Sequence, residues 1–281
     1  MHIETTDVTR TYGAVTALDG LTLSIPSGST FGLLGTNGAG KTTLFRLLIG
    51  HETPDSGTVR IGDTTVSAAG PEIRERVGYL PERAGFPAEL TAREVLAVTA
   101  RVRGLSDVDE RVASVLSTVG LDGDADRPVE GFSNGMGRRL GLATALLPDP
   151  DVLLLDEPTA GLDPLGVVAF HRIVEDVSER TDATVLVCSH ALAEVERLCD
   201  RVAILNDGQL LAAGELSELT AGTSGLEETF EAVVTGDGQS GDGQAVAAGG
   251  PAGSGTERPS DASDLQRPPD ATPADREEGT P

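Results

Sequence analysis

Three short stretches of this 281-residue chain carry side chains in patterns that chemistry uses. The first, GTNGAGKTT at residues 35–43, fits G-x-x-x-x-G-K-[ST] over residues 35–42. Its glycines let the backbone curl until several N–H groups face one centre. A helix starting just after the loop turns its own free N–H groups to the same place, and such a nest binds phosphate oxygens. Lys41 supplies a compact charge able to reach β- and γ-phosphates, and Thr42 a hydroxyl for Mg2+. Lys41 is also the sole lysine of the chain. The planar fork of arginine fits this nest poorly, so the loop keeps a residue type that is avoided everywhere else.

The second stretch, VLLLDE at 152–157, reads as a buried strand ending in two acids. Asp156, at the strand's carboxyl end, is placed to hold Mg2+ through water. Glu157 is placed to polarise an attacking water as general base. Two acids after an apolar run also mark a strand meeting solvent, and the phosphate loop upstream favours the chemical reading. The third stretch is FSNGMGRRLGLA at 132–143, in which Ser133 is a good N-cap for the helix behind it.

The elements that must position these groups follow from periodicity. Apolar runs at 21–25, 30–34, 152–155 and 184–188 predict strands, and 43–49 and 164–178 predict helices. Their alternation argues for a parallel sheet flanked by helices. Runs at 202–205 and 209–212 around an Asp-Gly pair predict a hairpin. Helical patterns at 91–103, 107–119 and 133–147 follow one another without a strand, so the region of about 83–147 reads as a helical insertion.

Composition bounds the partners. With 45 acidic against 21 basic residues the formal charge is −24, a surface that repels nucleic acid, and no nucleic-acid partner is expected. A GC-rich genome would explain missing lysine but not a two-fold excess of acid, so a salt-loving source, a halophile, is expected. Aromatics make up 3% of residues, which leaves the core to aliphatic side chains. Cys188 and Cys199 are too far apart for a CxxC pair and read as two reduced, buried thiols. MHIETTDVTRTYG, at the start, has neither a basic segment nor an apolar run, and no stretch is long enough to cross a bilayer, so a soluble chain without a signal peptide is expected. Composition shifts near residue 236 to Gly, Pro, Ser and Asp. The expectation is a domain at 1–235 and a disordered acidic tail at 236–281.

With the third stretch in place between the other two, the chain resembles the nucleotide-binding subunit of an ABC transporter over about residues 3–234. FSNGM stands where that family has its signature, usually LSGGQ. Tyr12, in RTYGAV, matches the aromatic that stacks on adenine. Glu82, in GYLPER, falls at the Q-loop and by position at the metal; AGLD at 160–163, ending in Asp163, matches the D-loop; His190, in VCSH, matches the switch histidine. The resemblance implies a P-loop NTPase core of α/β class, with a mixed, mainly parallel sheet, an N-terminal antiparallel β portion and a helical insertion subdomain. It implies ATP and Mg2+ as cofactors, held by Gly35, Asn37, Gly38, Ala39, Gly40, Lys41, Thr42 and Thr43. Two copies would pack head to tail, each ATP lying between the Lys41 loop of one and Ser133 and Gly135 of the other, with catalysis by Glu157, His190 and Lys41. Asn134 and Met136 depart from the signature, Thr36 stands where proline is usual, and Glu82 replaces glutamine.

The resemblance further implies an integral-membrane permease as partner and a place at the cytoplasmic face of the cell membrane. GYLPE, the GM-x-RRLGLA run, CSH and LEETF at 226–230 are similar to ATPases of ABC-2-type exporters. The first three of these are also similar to the ATPase of the copper-linked system for nitrous oxide reductase maturation, which is kept as an alternative. A soluble ABC ATPase not coupled to transport is the alternative from another class.

Overall fold

The computed structural model describes residues 1–236; the remainder of the expected tail lies outside the described residues. In chain order the elements are β1 (Ile3–Tyr12), β2 (Val15–Ile25), β3 (Thr30–Gly35), α1 (Lys41–Leu48), β4 (Ser56–Ile61), β5 (Thr64–Thr65), α2 (Val66–Ala69), α3 (Ile73–Arg76), β6 (Val77–Leu80) and α4 (Ala92–Val102). There follow α5 (Val108–Thr118), α6 (Asn134–Leu146), β7 (Val152–Asp156), α7 (Pro164–Arg180), β8 (Thr184–Cys188), α8 (Leu192–Leu198), β9 (Arg201–Asn206), β10 (Gln209–Glu215), α9 (Leu216–Leu219) and α10 (Leu226–Thr235).

Two sheets form. The first is antiparallel, in the order β2-β1-β4-β5. The second runs β10-β9-β3-β8-β7-β6; its strands from β9 to β6 are parallel, and β10 is added by an antiparallel hairpin. The helices α4, α5 and α6 come between β6 and β7, as the expected insertion.

Burial explains the sheet. Every residue of β3, β7 and β8 is buried, as continuous apolar strands must be when both faces are covered. Successive residues point to opposite faces and so feed two cores. Leu33, Leu154, Leu186 and Leu205 pack with α1 residues Leu44, Phe45 and Leu48 and with the antiparallel sheet. On the opposite face Leu34, Leu153, Leu155, Val187 and Ile204 pack with the helical insertion and α7.

The ends of the elements are set by local chemistry. Thr91 and Glu94 form a capping box that starts α4. Asp163 caps α7, with Pro164 as its first helical residue. Asp207 and Gly208 both have positive φ, at 47° and 81°, which suits the two-residue turn of the β9–β10 hairpin. Among the described residues no helix is long and apolar enough to cross a membrane.

The register decides where chemistry can occur. Leu80 pairs with Leu155, Asp156 with Cys188, Leu33 with Cys188, and Gly35 with Leu205. The carboxyl ends of the five parallel strands therefore share one edge, which is where open α/β sheets bind ligands.

Candidate functional site

At that edge β3 passes through the phosphate loop into α1. Gly40, the N-cap of α1, sits at φ 100°, and a Cβ there would lie 2.3 Å from the Ala17 carbonyl oxygen. Only glycine fits so tight a backbone approach at that φ. No side chain caps α1, and no acid lies in its first turn, so its free N–H groups are left for an anion. Lys41 is buried, and its ammonium donates to the Gly35 and Thr36 carbonyls at 2.7 and 3.1 Å. Thr42 is exposed and Thr43 buried, so the Thr42 hydroxyl is the one free for a cation. The loop is fastened to the β9–β10 hairpin: Thr36 Oγ1 donates to Asn206 Oδ1 at 2.9 Å, and Gly208 N to the Ala39 carbonyl at 3.3 Å. Thr36 in place of proline thus gains an anchor. A cavity of about 370 Å3 brings Gly35, Thr36 and Asn37 together with Ser189 and His190, with Leu34, Leu192 and Phe230 as its apolar wall.

The acids stand at the end of β7, which β8 separates from β3. Asp156 ends β7 and is only 6% exposed; the Tyr79 hydroxyl, from β6, donates to its Oδ2 at 3.2 Å. Burial pushes the Asp156 carboxyl above the usual carboxylate range, against the hydrogen bond from Tyr79, and the Glu82 charge adds to the push. A buried carboxylate in this state gains from a bound cation, so Asp156 together with Thr42 fits Mg2+. Among the described residues no cluster of His, Cys, Asp or Glu could hold a metal alone. Mg2+ takes one or two protein oxygens and completes its shell with phosphate and water.

Glu157 N donates to the Cys188 carbonyl at 2.8 Å, which ties the end of β7 to the end of β8. Its carboxylate lies 2.6 Å from His190 Nδ1. Nδ1 must carry the proton to make this contact, which leaves Nε2 for another partner. Two acids and one imidazole named from separate stretches of sequence are therefore one cluster.

Tyr12, at the end of β1, is held by its neighbours. Its hydroxyl donates to Glu52, and the Arg10 guanidinium lies 5.0 Å from the ring centroid. Arg10 in turn pairs with Glu52 and Asp55 at 3.2 and 2.9 Å. Glu82, just beyond β6, has an exposed side chain whose ion-pair partner is Arg83, at 3.9 Å.

The remaining residues named from sequence do not join this cluster. Ser133 caps α6, its Oγ accepting from Met136 N at 3.3 Å, and Asn134 Nδ2 donates to the Gly161 carbonyl at 3.4 Å. Asn134, a departure from the signature, thereby bridges to the 160–163 loop. Asp163 spends one carboxylate oxygen on Gly166 N at 2.6 Å. Among the described residues no hydrogen bond links Ser133, Gly135 or Asp163 to the phosphate loop. Sequence reasoning gave no role to Tyr79, Asn206 or Arg138. A buried arginine on α6 was signalled only by its setting among small and apolar neighbours, GMGRRLGLA.

Comparison with known proteins places the chain in a family. A family model described as ABC transporter matches residues 18–160. The bacitracin transport ATP-binding protein BcrA of Bacillus licheniformis is 41% identical over 209 residues, covering 74% of this chain and 68% of its own. The Nod factor export ATP-binding protein I of Paraburkholderia xenovorans (strain LB400) is 41% identical over 229 residues, covering 80% and 74%. A solved ATP-binding subunit of an ABC transporter superposes with a TM-score of 0.74 at 29% identity, over 83% of this chain and all of its own. The chain belongs to the ABC transporter family and is an ATP-binding, ATP-hydrolysing member of it.

Proposed function

We propose that this ATPase powers a separate integral-membrane permease, of the ABC-2 export type, by closing two copies head to tail around ATP. One observation carries the reading: the phosphate loop is complete inside one chain, whereas Ser133 and Gly135 open a helix that, among the described residues, makes no hydrogen bond to the loop. A second copy supplies what each half lacks. Lys41 and the N–H groups of α1 bind the phosphates. Thr42 and Asp156 would hold Mg2+, with Glu82 beside them, and the ion would supply positive charge against the phosphates. Glu157 accepts the proton of the attacking water, and His190 donates from Nδ1 to hold that carboxylate in place, Nε2 being left for the γ-phosphate. Tyr12, braced by Arg10, stacks on adenine.

Export is favoured over the copper-linked reading because relatives of this chain include a bacitracin transport and a Nod factor export ATP-binding protein. The permease places the chain at the cytoplasmic face of the cell membrane, with the insertion at 83–147 as its docking element. The domain is assigned to 1–235, and the acid excess to a salt-loving source.

The test is recovery from detergent-solubilised membranes in high salt with Glu157→Gln, ATP and Mg2+. That variant holds the closed dimer on its partner and lowers turnover on the order of 10^2- to 10^4-fold. Co-recovery of a polytopic permease is the expected result. A chain that comes down with soluble proteins alone, and is absent from membranes, would move the function to a soluble ABC ATPase.

A further inference from the structure

The most heavily hydrogen-bonded side chain near the site belongs to neither the phosphate loop nor the acidic pair. Arg138, on the first turns of α6, is buried and reaches five backbone carbonyls. Nε donates to Pro158 O at 2.7 Å; Nη1 donates to Pro81 O at 2.5 Å and to Glu82 O at 2.9 Å; Nη2 donates to Asp156 O at 2.6 Å and to Glu157 O at 2.7 Å. A guanidinium has one N–H on Nε and two on each terminal nitrogen, so donors and acceptors match nitrogen by nitrogen. Lysine has three donors and could not serve these five carbonyls.

The carbonyls come from two places. Three belong to the turn that carries Asp156 and Glu157, and two to the start of the Glu82 loop. The turn needs holding. Glu157 has φ 45°, the left-handed region, where a non-glycine residue is strained by about 1–3 kcal/mol and persists only when its surroundings over-determine it. Arg138 grips the carbonyls before, at and after this residue, and the opposite side of the turn is fixed by Glu157 N on the Cys188 carbonyl.

Charge is balanced at the same place. Burial pulls the Arg138 guanidinium below its ordinary range, and Asp156, Glu194, Glu82 and Glu157 act against that pull. Of these, Glu194 is on α8 and 3% exposed; its Oε1 lies 3.3 Å from His171 Nε2 of α7, and its Oε2 has no hydrogen-bond partner. The start of α6, the Glu82 loop and the acidic turn thus meet around one cation.

We propose that Arg138 is the positioning residue of this ATPase: it holds the Glu157 turn in its strained, productive form and ties that turn to the Glu82 loop. The proposal rests on the reading of Glu157 as general base. Movement of the Glu82 loop, which leads into the helical insertion, then reaches the carboxylate through one side chain, without passing through the nucleotide.

The test is a double-mutant cycle on ATP turnover of the full chain, with R138K and E157Q singly and together. R138K is expected to lower kcat about 10- to 100-fold, the scale of a displacement of roughly 1 Å, and to leave KM for ATP within about 3-fold. Added to E157Q, it should cost no more than about another 3-fold, because a group that acts through Glu157 has nothing left to place. A multiplicative loss on top of E157Q would overturn the role of Arg138, as would a lowered melting temperature with unchanged kcat in the folded fraction. E157Q at full turnover would instead remove the base, and the inference with it. If R138K fails to fold, R138Q carries the same cycle.

Discussion

The phosphate loop and the signature segment are both glycine-bearing stretches leading into helices, and they are built on opposite terms. Gly40 is demanded by its own chain: φ is 100° and a Cβ would meet the Ala17 carbonyl at 2.3 Å. Gly135 is not. Its φ is not positive, and a Cβ would meet only Ser133 Oγ, at 3.9 Å. Lys41 is buried and spends its ammonium on its own loop, while Ser133 caps a helix that starts in the open. One stretch is finished by the fold. The other has a glycine that its own chain does not require, and in the proposed function a second copy presents its phosphate there.

The largest effect that would break this contrast comes from exchanging the two glycines. Gly135→Asp should leave the melting temperature of the isolated chain unchanged and cut turnover about 100-fold or more, the scale of a lost transition-state contact. Gly40→Ala should do the reverse first, destabilising the chain by about 2 kcal/mol or more through left-handed strain and collision with backbone. Calorimetry and phosphate release on the two variants separate these outcomes. Equal melting losses would erase the distinction.

A smaller effect concerns Asp156, which burial holds above the usual carboxylate range in the absence of a cation. An acid whose folded value is raised contributes stability that is full below its unfolded value and is lost as pH rises through the folded one. Asp156→Asn, which can still accept from Tyr79, should therefore raise the melting temperature of the nucleotide-free chain at neutral pH, by about 2–4 °C. The gap should close on acidification toward the ordinary carboxylate range. The same variant should lose Mg2+-dependent turnover. A nucleotide-free variant less stable than the wild type at neutral pH would contradict this.

The smallest effect is on the thiols. Burial pushes both Cys188 and Cys199 far up from the ordinary thiol range. Alkylation of the folded chain at pH 8 should leave both unmodified until denaturant is added, as mass spectrometry would show.

How much of this was legible beforehand depended on where the information lay. β3, β7 and β8 are buried on both faces and announce themselves as apolar runs. β1, with burial alternating only in part and several bulges, carries a weaker signal; VGYL at β6 is four residues long; both went unread as strands. The helices of the insertion were read to within about a residue because Thr91, Asp107 and Ser133 stand at their starts. The seven-residue α8 and the ten-residue α10 are short and carry no side-chain N-cap, so neither announces its start.

In the site, motifs named Lys41, Asp156, Glu157 and His190, and the shared strand edge shows why they converge. Arg138 escaped because its partners are backbone carbonyls. These have no residue identity for a sequence pattern to detect, and five of them come together only once β6, β7 and α6 are packed. The anchoring of Thr36 escaped for a different reason: its partner, the Asn206 side chain, lies 170 positions along the chain.

The most direct test of the central claim, that each catalytic unit is shared between two copies, is a mixing experiment. Lys41→Met damages the loop half and Gly135→Asp the signature half, and each homodimer should be inactive. In a head-to-tail pair of one of each, one site receives both lesions and the other none. Equimolar mixing should then recover up to about a quarter of wild-type turnover, since half of the dimers are mixed and each has one intact site of two. A mixture no more active than its parents, under conditions where the chains exchange, would place both halves of the site in one copy and contradict the account.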